Sequence, residues 1–221
     1  MKIVVATSNR GKLAELRALL PEYVELVTAG DIGLTMPEET GSDFVENALI
    51  KARAAASAGL PAVADDSGLI VEALGGAPGI FSARFAGELA TDESNNSKLI
   101  ELLSGLCSAD RTARFVSAVA AVAPDGREYC AIGAVHGRIV DEPRGTSGFG
   151  YDPHFEIDDA DASEFNGRTM AEISIAEKNR ISHRARAYRN LMKQLARQDF
   201  FGRYTAGKDN EMSAAHDVSR R

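Results

Sequence analysis

The chain has 221 residues, with the hydrophobic content of 44% and charged content of 26% that are typical of a water-soluble globular protein. A formal net charge of -7 argues against broad binding to nucleic acid or anionic membranes, although a local basic pocket for a small anion remains compatible with it. The only two cysteines, Cys107 and Cys130, lack metal-site spacing, so we expect reduced thiols. With no signal-peptide pattern and no apolar run of bilayer length, we expect a cytoplasmic protein.

Hydrophobic periodicity predicts strands and helices mixed along the chain, which indicates an α/β (mixed α+β) fold with a mixed sheet. The predicted strands cover residues 2–6, 24–28, 62–65, 69–74, 113–123 and 128–140, the last two as a hairpin. The predicted helices cover residues 13–20, a segment from about Ser42 or Asp43 to Gly59, residues 92–104, and a last helix from about Ser182. Two short helices are predicted after Thr169 and Ser174, each with a capping-box pattern, Thr169 to Glu172 and Ser174 to Glu177. Residues 1–204 are predicted to form one domain, and residues 205–221 a polar, disordered extension.

The segment Thr7-Ser8-Asn9-Arg10-Gly11-Lys12 lies between the first strand and the first helix. Helix N-terminal N–H groups and the helix dipole favour anions, so this segment is a candidate phosphate site. Its glycine spacing is not that of a Walker A loop, and an ordinary strand–turn–helix with a solvated lysine explains it equally well.

Two acidic pairs are candidates for metal binding and base chemistry. Asp65 and Asp66 follow an apolar strand, and adjacent carboxylates repel each other unless a cation or hydrogen-bond donors compensate. Such a pair could bind Mg²⁺ or deprotonate an attacking water, and it could also be a simple turn before Gly68. Glu38 and Glu39 precede a helix, where acidic residues are common.

Residues 147–152, Ser-Gly-Phe-Gly-Tyr-Asp, place two aromatic rings and a carboxylate on a glycine-rich loop. Flat faces beside a carboxylate suit a planar heterocycle such as a nucleobase, whereas the alternative is a turn with two core aromatics. His183 and Arg184 follow the N-cap candidate Ser182, where cations oppose the helix dipole. An anionic or carbonyl-bearing ligand would account for them, as would a basic surface patch.

Five motifs in this order resemble the non-canonical purine nucleoside triphosphate pyrophosphatases, also called inosine triphosphatase-like proteins. The resemblance runs from about residue 2 to residue 200. The motifs are Thr7-Ser8-Asn9 with Lys12, Ala64-Asp65-Asp66-Ser67-Gly68, Gly75-Gly76-Ala77-Pro78-Gly79, Gly148-Phe149-Gly150-Tyr151-Asp152-Pro153, and Glu177-Lys178 with Ser182-His183-Arg184. The resemblance implies a twisted mixed sheet with flanking helices and two lobes around a central substrate cleft. It also implies a Mg²⁺-dependent homodimer that hydrolyses ITP, dITP and XTP to the monophosphate and pyrophosphate. Arg10 adds a cation to the phosphate loop and the tail after Tyr204 exceeds the family's usual length.

The resemblance also implies residue roles. Asp66 would be the general base and, with Glu38, a metal carboxylate, while Asp65 would support the metal site. The substrate would be bound by Thr7, Ser8, Asn9, Arg10, Gly11, Lys12, Ser67, Phe149, Gly150, Tyr151, Asp152, Lys178, His183 and Arg184. Two alternatives stay open at this point: a Maf-like pyrophosphatase acting on modified pyrimidine triphosphates, and a nucleotide-binding module without catalysis. No nucleic-acid or membrane partner is expected.

Overall fold

The computed structural model of the chain describes residues 2–7, 9–20, 23–107, 110–198 and 200, and it confirms the mixed α/β class. The predicted extension 205–221 lies outside the described residues, as do Ser8 and the side chain of Arg10. Within the described part, no helix is both long and apolar enough to cross a membrane.

A single six-stranded mixed sheet organises the described chain, in the order β2-β1-β3-β4-β5-β6. Strand β1 is parallel to β2 and β3, whereas β3, β4, β5 and β6 pair antiparallel in succession. The strands are β1 Lys2–Val5, β2 Glu25–Thr28, β3 Ala62–Val71, β4 Thr112–Val122, β5 Glu128–Ile139 and β6 Phe155–Ile157. The predicted hairpin is therefore confirmed as β4 and β5, while the three-residue strand β6 was not predicted.

The helices are close to their predicted positions. They are α1 Arg10–Leu19, α2 Phe44–Ala56, α3 Asp92–Leu102, α4 Ile175–Ile181 and α5 His183–Arg197. Asn9 caps α1, Asp43 caps α2 and Ser182 caps α5, each through its side-chain oxygen. Ser174 forms the predicted capping box with Glu177 at the start of α4.

The prediction of two short strands joined by a turn at Asp65-Asp66-Ser67-Gly68 was wrong, because β3 runs through these residues without interruption. Each of them is paired with β4, from Asp65 opposite Val119 to Gly68 opposite Val116. Aspartate, serine and glycine are typical turn residues, but here the neighbouring strand satisfies their backbone groups. A side chain at Gly68 would begin 2.3 Å from the Gly79 carbonyl oxygen, so glycine is required where the 79–84 turn crosses the strand.

Hydrophobic clusters lie at both ends of β3 and leave its polar middle between them. Near its start, the face bearing Val63 packs on α1 and α5, and the face bearing Ala64 packs on α2. Near its end, Leu69 and Val71 pack with α3 and with Phe155 of β6. The acidic residues of β3 are thus held by rigid packing on either side.

Candidate active site

A cavity of about 460 Å³ opens beside the middle of β3 and collects most of the predicted site residues. Of those residues, it is lined by Thr7, Asn9, Lys12, Asp66, Ser67, Phe149, Gly150, Tyr151, Asp152, Lys178, His183 and Arg184. Gly11 lies beside this wall without lining it, and Glu38 is exposed outside it. Segments far apart in sequence therefore meet at one place.

The first part of the wall is the turn into α1. The Asn9 side-chain oxygen accepts hydrogen bonds from the backbone N–H groups of Gly11 and Lys12, at 2.9 and 3.1 Å. This cap orients the first helical turn, and it also uses two of the donors that an anion could otherwise have met. The Lys12 ammonium turns inward and lies 2.9 Å from an oxygen of Asp65.

The two carboxylates of β3 face opposite sides of the sheet, because side chains alternate along a strand. Asp65 points toward α1 and α5, where it binds Lys12 and, at 3.1 Å, the Arg184 guanidinium. Burial alone would raise the pKa of the Asp65 carboxyl, but the charges of Lys12 and Arg184 outweigh burial and hold this pKa well below its usual value. Asp65 is therefore a fixed negative charge within the protein.

Asp66 points toward α2 and has a different environment. One carboxylate oxygen accepts a hydrogen bond of 3.1 Å from the Asn47 amide, and the other lies 3.5 Å from the Lys51 ammonium. Burial raises the pKa of the Asp66 carboxyl above its usual value, since the loose contact with Lys51 does not fully offset the loss of hydration. A carboxylate of raised pKa on a cavity wall is suited to accept a proton from a bound water.

The segment bearing the second acidic pair is tied to the same helix. Asn47 accepts a hydrogen bond of 2.8 Å from the Gly41 backbone N–H, and Lys51 binds Glu39 at 2.6 Å. Glu39 thus lines the cavity with its charge compensated, whereas Glu38 makes no ion pair within the described residues. The structure does not place the Glu38 carboxylate beside Asp66, so its role as a metal carboxylate stays a prediction.

A buried cluster of charges lies under the cavity, and its central residue, Glu15 of α1, was missed by the sequence reasoning. Glu15 is only 5% exposed, binds the Arg184 guanidinium directly, and has one oxygen 3.5 Å from the Lys178 ammonium. Lys178 in turn binds Asp152 at 2.7 Å. The only signal in the sequence is that Glu15 lies three residues after Lys12, on the same face of α1.

This cluster also explains Arg184, the cation at the start of α5. The sequence left two explanations of Arg184 open, an anionic or carbonyl-bearing ligand and a basic surface patch, but Glu15 and Asp65 of the protein compensate its charge. Burial lowers the pKa of the guanidinium, and the two carboxylates outweigh burial and raise it above its usual value. Arg184 is therefore charged and oriented before any ligand binds.

The two aromatic residues of the 147–152 loop have different positions. Phe149 is 36% exposed on the cavity wall, with the Lys178 ammonium 4.8 Å from its ring centroid. Tyr151 is 5% exposed, and its hydroxyl donates to the Ser82 carbonyl oxygen at 2.8 Å. Only Phe149 therefore offers an open ring face, while Tyr151 joins the loop to the core.

His183 forms the floor beside these groups. Its ring stacks on Phe115 with centroids 5.0 Å apart, and its buried Nδ1 has no hydrogen-bond partner among the described residues. Burial, followed by the charge of Arg184, lowers the pKa of this imidazole well below its usual value, so the ring is neutral at pH 7. Close packing fixes its position, because a side chain at Gly133 of β5 would begin 2.2 Å from the His183 carbonyl oxygen.

The protein is an α/β protein with a cleft suited to a phosphorylated, ring-bearing ligand. This class is defined by the mixed sheet, the fixed cations, the open aromatic face and the carboxylate of raised pKa. The chain belongs to the Ham1 family, whose sequence model matches residues 3–194.

Relatives and solved structures agree with this membership. The chain is 46% identical over 200 residues to a dITP/XTP pyrophosphatase of Geobacter sulfurreducens, covering 89% of this chain and 98% of the relative. It is 48% identical over 197 residues to the enzyme of the same name from Pseudomonas aeruginosa, covering 88% of this chain and 96% of the relative. The structure of a HAM1 protein from Coxiella burnetii superimposes with a TM-score of 0.79 at 43% identity, covering 89% of this chain and 99% of that one.

Proposed function

We propose that this protein hydrolyses non-canonical purine nucleoside triphosphates, namely dITP, ITP and XTP, to the monophosphate and pyrophosphate. Such an activity removes these nucleotides from the pool before they are incorporated into DNA or RNA. The observation that carries the proposal is the position of Asp66, a buried carboxylate of raised pKa on the wall of a cavity that also holds Phe149 and Lys12. The names of the relatives support the same reaction.

The proposed substrate spans the cavity. Its triphosphate would lie against the segment Thr7 to Lys12, which includes Ser8, Arg10 and Gly11, and against Ser67. Its base would stack on Phe149, with Gly150, Tyr151 and Asp152 behind this wall. Lys178, His183 and Arg184 would face the edge of the purine or its phosphates. The fixed orientation of Lys178 and Arg184 supports this arrangement, because their ordering precedes binding.

Mg²⁺ is the cofactor that we propose, and the donor set is compatible with it. The described residues contain no group of three or more His, Cys, Asp or Glu side chains placed to bind a metal. Mg²⁺ does not require such a group, because it is usually bound by one or two carboxylates together with water and substrate phosphates. Asp66 and Glu38 are the carboxylates that we propose, following the family resemblance. Glu39 binds Lys51 at 2.6 Å, more closely than Asp66 does at 3.5 Å. When bound, the ion would offset the negative charge of the triphosphate.

In the proposed reaction, Asp66 accepts a proton from a water that attacks the α-phosphorus, and pyrophosphate leaves. Asn47 fixes the orientation of the Asp66 carboxylate through its hydrogen bond. Lys12 is held by Asp65 at the edge of the phosphate segment, where its charge stabilises the triphosphate. The chain's contribution is thus positioning and charge, which dominate phosphoryl transfer.

Selection of the base would depend on the 6-position of the purine. ITP and XTP have a carbonyl oxygen there, whereas ATP has an amino group. Lys178 and Arg184 are pure hydrogen-bond donors, so an amino group facing them would leave buried donors unsatisfied. We therefore expect kcat/KM for ATP to be about two orders of magnitude or more below that for ITP.

The experiment that tests the reaction compares the protein with its Asp66→Asn variant. Asparagine has the same shape and cannot accept the proton, so we expect pyrophosphate release from ITP with Mg²⁺ to fall about 10²–10⁴-fold. Circular dichroism of the variant checks that the fold is retained. Pyrophosphate release close to that of the unsubstituted protein would refute the role of Asp66.

A substrate panel separates the proposed function from its rivals. Pyrophosphate release is measured with ITP, XTP, GTP, ATP and dTTP, with and without Mg²⁺. A Maf-like enzyme would act on the pyrimidine, and a binding module would release nothing; the names of the relatives favour neither. We also propose, from the family resemblance, a cytoplasmic homodimer, and light scattering of the purified protein tests its oligomeric state.

A further inference from the structure

We propose that helix α3 positions the base-stacking ring of Phe149 by binding both peptide groups that flank Gly150. Asp92 and Asn96 are the two positioning residues, and this role rests on the proposed function because it concerns binding of the base. Neither residue emerged from the sequence as a site candidate.

The contacts converge on one glycine. The Gly150 backbone N–H donates to a carboxylate oxygen of Asp92 at 2.7 Å. The Gly150 carbonyl oxygen accepts from the side-chain amide of Asn96 at 3.0 Å. Asp92 and Asn96 lie four residues apart and therefore on the same face of α3. The two peptide groups between Phe149 and Tyr151 are thus bound from outside the loop.

The loop needs such a restraint because its own backbone is permissive. Gly145, Gly148 and Gly150 all have positive φ, at 81°, 83° and 63°, a region in which glycine has little steric preference. Within the loop, the Phe149 N–H is bound by the Asp152 carboxylate at 2.9 Å. That bond fixes one peptide. The next peptide has only a long bond within the loop, 3.4 Å from the Asp152 N–H to the Phe149 carbonyl oxygen, so α3 supplies the shorter bonds to the following two peptides.

Helix α3 is a rigid support for this purpose. The Asn95 side chain accepts from the Ala86 N–H at 2.8 Å and donates to the Ala83 carbonyl oxygen at 3.2 Å. Lys98 donates to the Phe85 carbonyl oxygen at 2.6 Å, and Leu99 is completely buried. The same helix therefore packs on the core with one face and holds the aromatic loop with another.

A preorganised ring strengthens binding, because the loop does not have to be ordered when the base arrives. Removing the Asp92 carboxylate should raise KM for ITP about five- to tenfold, the effect of one hydrogen bond to a charged but exposed group. The value of kcat should change less than about twofold, since Asp92 does not touch Asp66 or its partners.

The absence of tryptophan from the chain allows a direct test. A Phe149→Trp background introduces a single tryptophan, which can be excited selectively, at the stacking position, where the replaced ring is 36% exposed. In this background we compare Asp92→Ala, Asp92→Asn, Asn96→Ala and the control Glu93→Ala. Glu93 lies in the same exposed first turn of α3, so its substitution removes the same charge without touching Gly150.

Two measurements are made on each variant: fluorescence anisotropy of the free protein, and quenching on titration with IMP, which has no triphosphate to be hydrolysed. Asp92→Ala should lower the anisotropy and raise the dissociation constant about five- to tenfold. Asn96→Ala should act in the same direction. Asp92→Asn keeps an oxygen acceptor for the Gly150 N–H and should therefore keep both values close to those of the Phe149→Trp background. The control Glu93→Ala should leave both values unchanged.

The proposal is overturned if Asp92→Ala and Asn96→Ala leave anisotropy and IMP affinity unchanged. It is also overturned if Asp92→Asn behaves like Asp92→Ala, because the charge of Asp92 would then act directly on the ligand. Failure of the proposed function has a different signature: the unsubstituted protein with Mg²⁺ would release no pyrophosphate from ITP. This result does not depend on the fluorescence anisotropy or the IMP affinity of the tryptophan variants.

Discussion

Substitution of Glu15 by glutamine tests whether the buried charges under the cavity act as one unit. Three buried or nearly buried cations meet three buried carboxylates in this cluster: Lys12, Lys178 and Arg184 with Asp65, Asp152 and Glu15. Glutamine keeps the shape of the side chain and leaves one positive charge uncompensated. Breaking a buried ion pair in this way costs about 3–5 kcal/mol.

The lower end of that range applies here, because Arg184 keeps Asp65 and Lys178 keeps Asp152 after the substitution. For a chain of this size, a loss of about 3 kcal/mol corresponds to a decrease in Tm of roughly 6–12 °C. Activity should fall as well, since Glu15 orients two proposed substrate-binding cations, and a higher KM is the expected form of that loss.

Urea unfolding at pH 7, followed by circular dichroism, measures the change in the free energy of unfolding. The matched control is Glu128→Gln, which breaks a bidentate pair with the Arg53 guanidinium at 2.6 and 2.7 Å. That pair is partly exposed to solvent, so its loss should cost less than about 1 kcal/mol. Equal losses for Glu15→Gln and Glu128→Gln would refute the reasoning that burial makes the Glu15 cluster a cooperative unit.

Two further predictions concern the pH dependence of stability and the coupling of the phosphate segment to the aromatic loop. Burial holds the folded-state pKa of His183 well below the ordinary value of 6.5, so the unfolded chain binds more protons below that pH. The resulting contribution to stability is present above about pH 6.5 and is lost as the pH falls. The free energy of unfolding should therefore decline by up to about 1.4 kcal/mol per pH unit below pH 6.5, a slope that His183→Gln should reduce in urea titrations from pH 5 to 7.5. Gly11→Ala should raise KM for ITP up to about tenfold, because the new Cβ would lie 3.0 Å from the Phe149 ring and push it aside, while alanine in a helix keeps or raises Tm. Gly30→Ala, whose nearest contact is an ordinary 3.8 Å, should leave both values unchanged, and an unchanged KM in Gly11→Ala would disprove the coupling.

Much of the architecture could be predicted from periodicity and caps, whereas the ion pairs and hydrogen bonds within the site could not. Helix caps and apolar spacing are local signals, so the N-cap Ser182 could be predicted from the sequence. Glu15 was missed because its partners, Lys178 and Arg184, are more than 160 residues away in sequence. No spacing rule reveals a partner that only tertiary packing brings near.

Tyr151 shows the same limit in a different form. Gly150 lies next to both Phe149 and Tyr151, and the sequence therefore suggests the same stacking role for both rings. The structure separates them, because the Ser82 carbonyl oxygen offers Tyr151 a buried hydrogen-bond partner while Phe149 has no polar atom to satisfy. A phenol with a partner can be buried, and the ring without one remains available to a ligand.

The continuity of β3 has the largest consequence for the proposed mechanism. In a turn, Asp65 and Asp66 would share one environment and repel each other; in a strand, they point to opposite faces of the sheet. One carboxylate is then neutralised by Lys12 and Arg184 and holds these cations in place, while its neighbour keeps a raised pKa beside Asn47 and Lys51. A shift of one residue in the pairing with β4 would exchange the two faces and place Asp66, the proposed general base, among the cations. The register of β3 therefore determines which of two adjacent, chemically identical side chains can act as the proposed base.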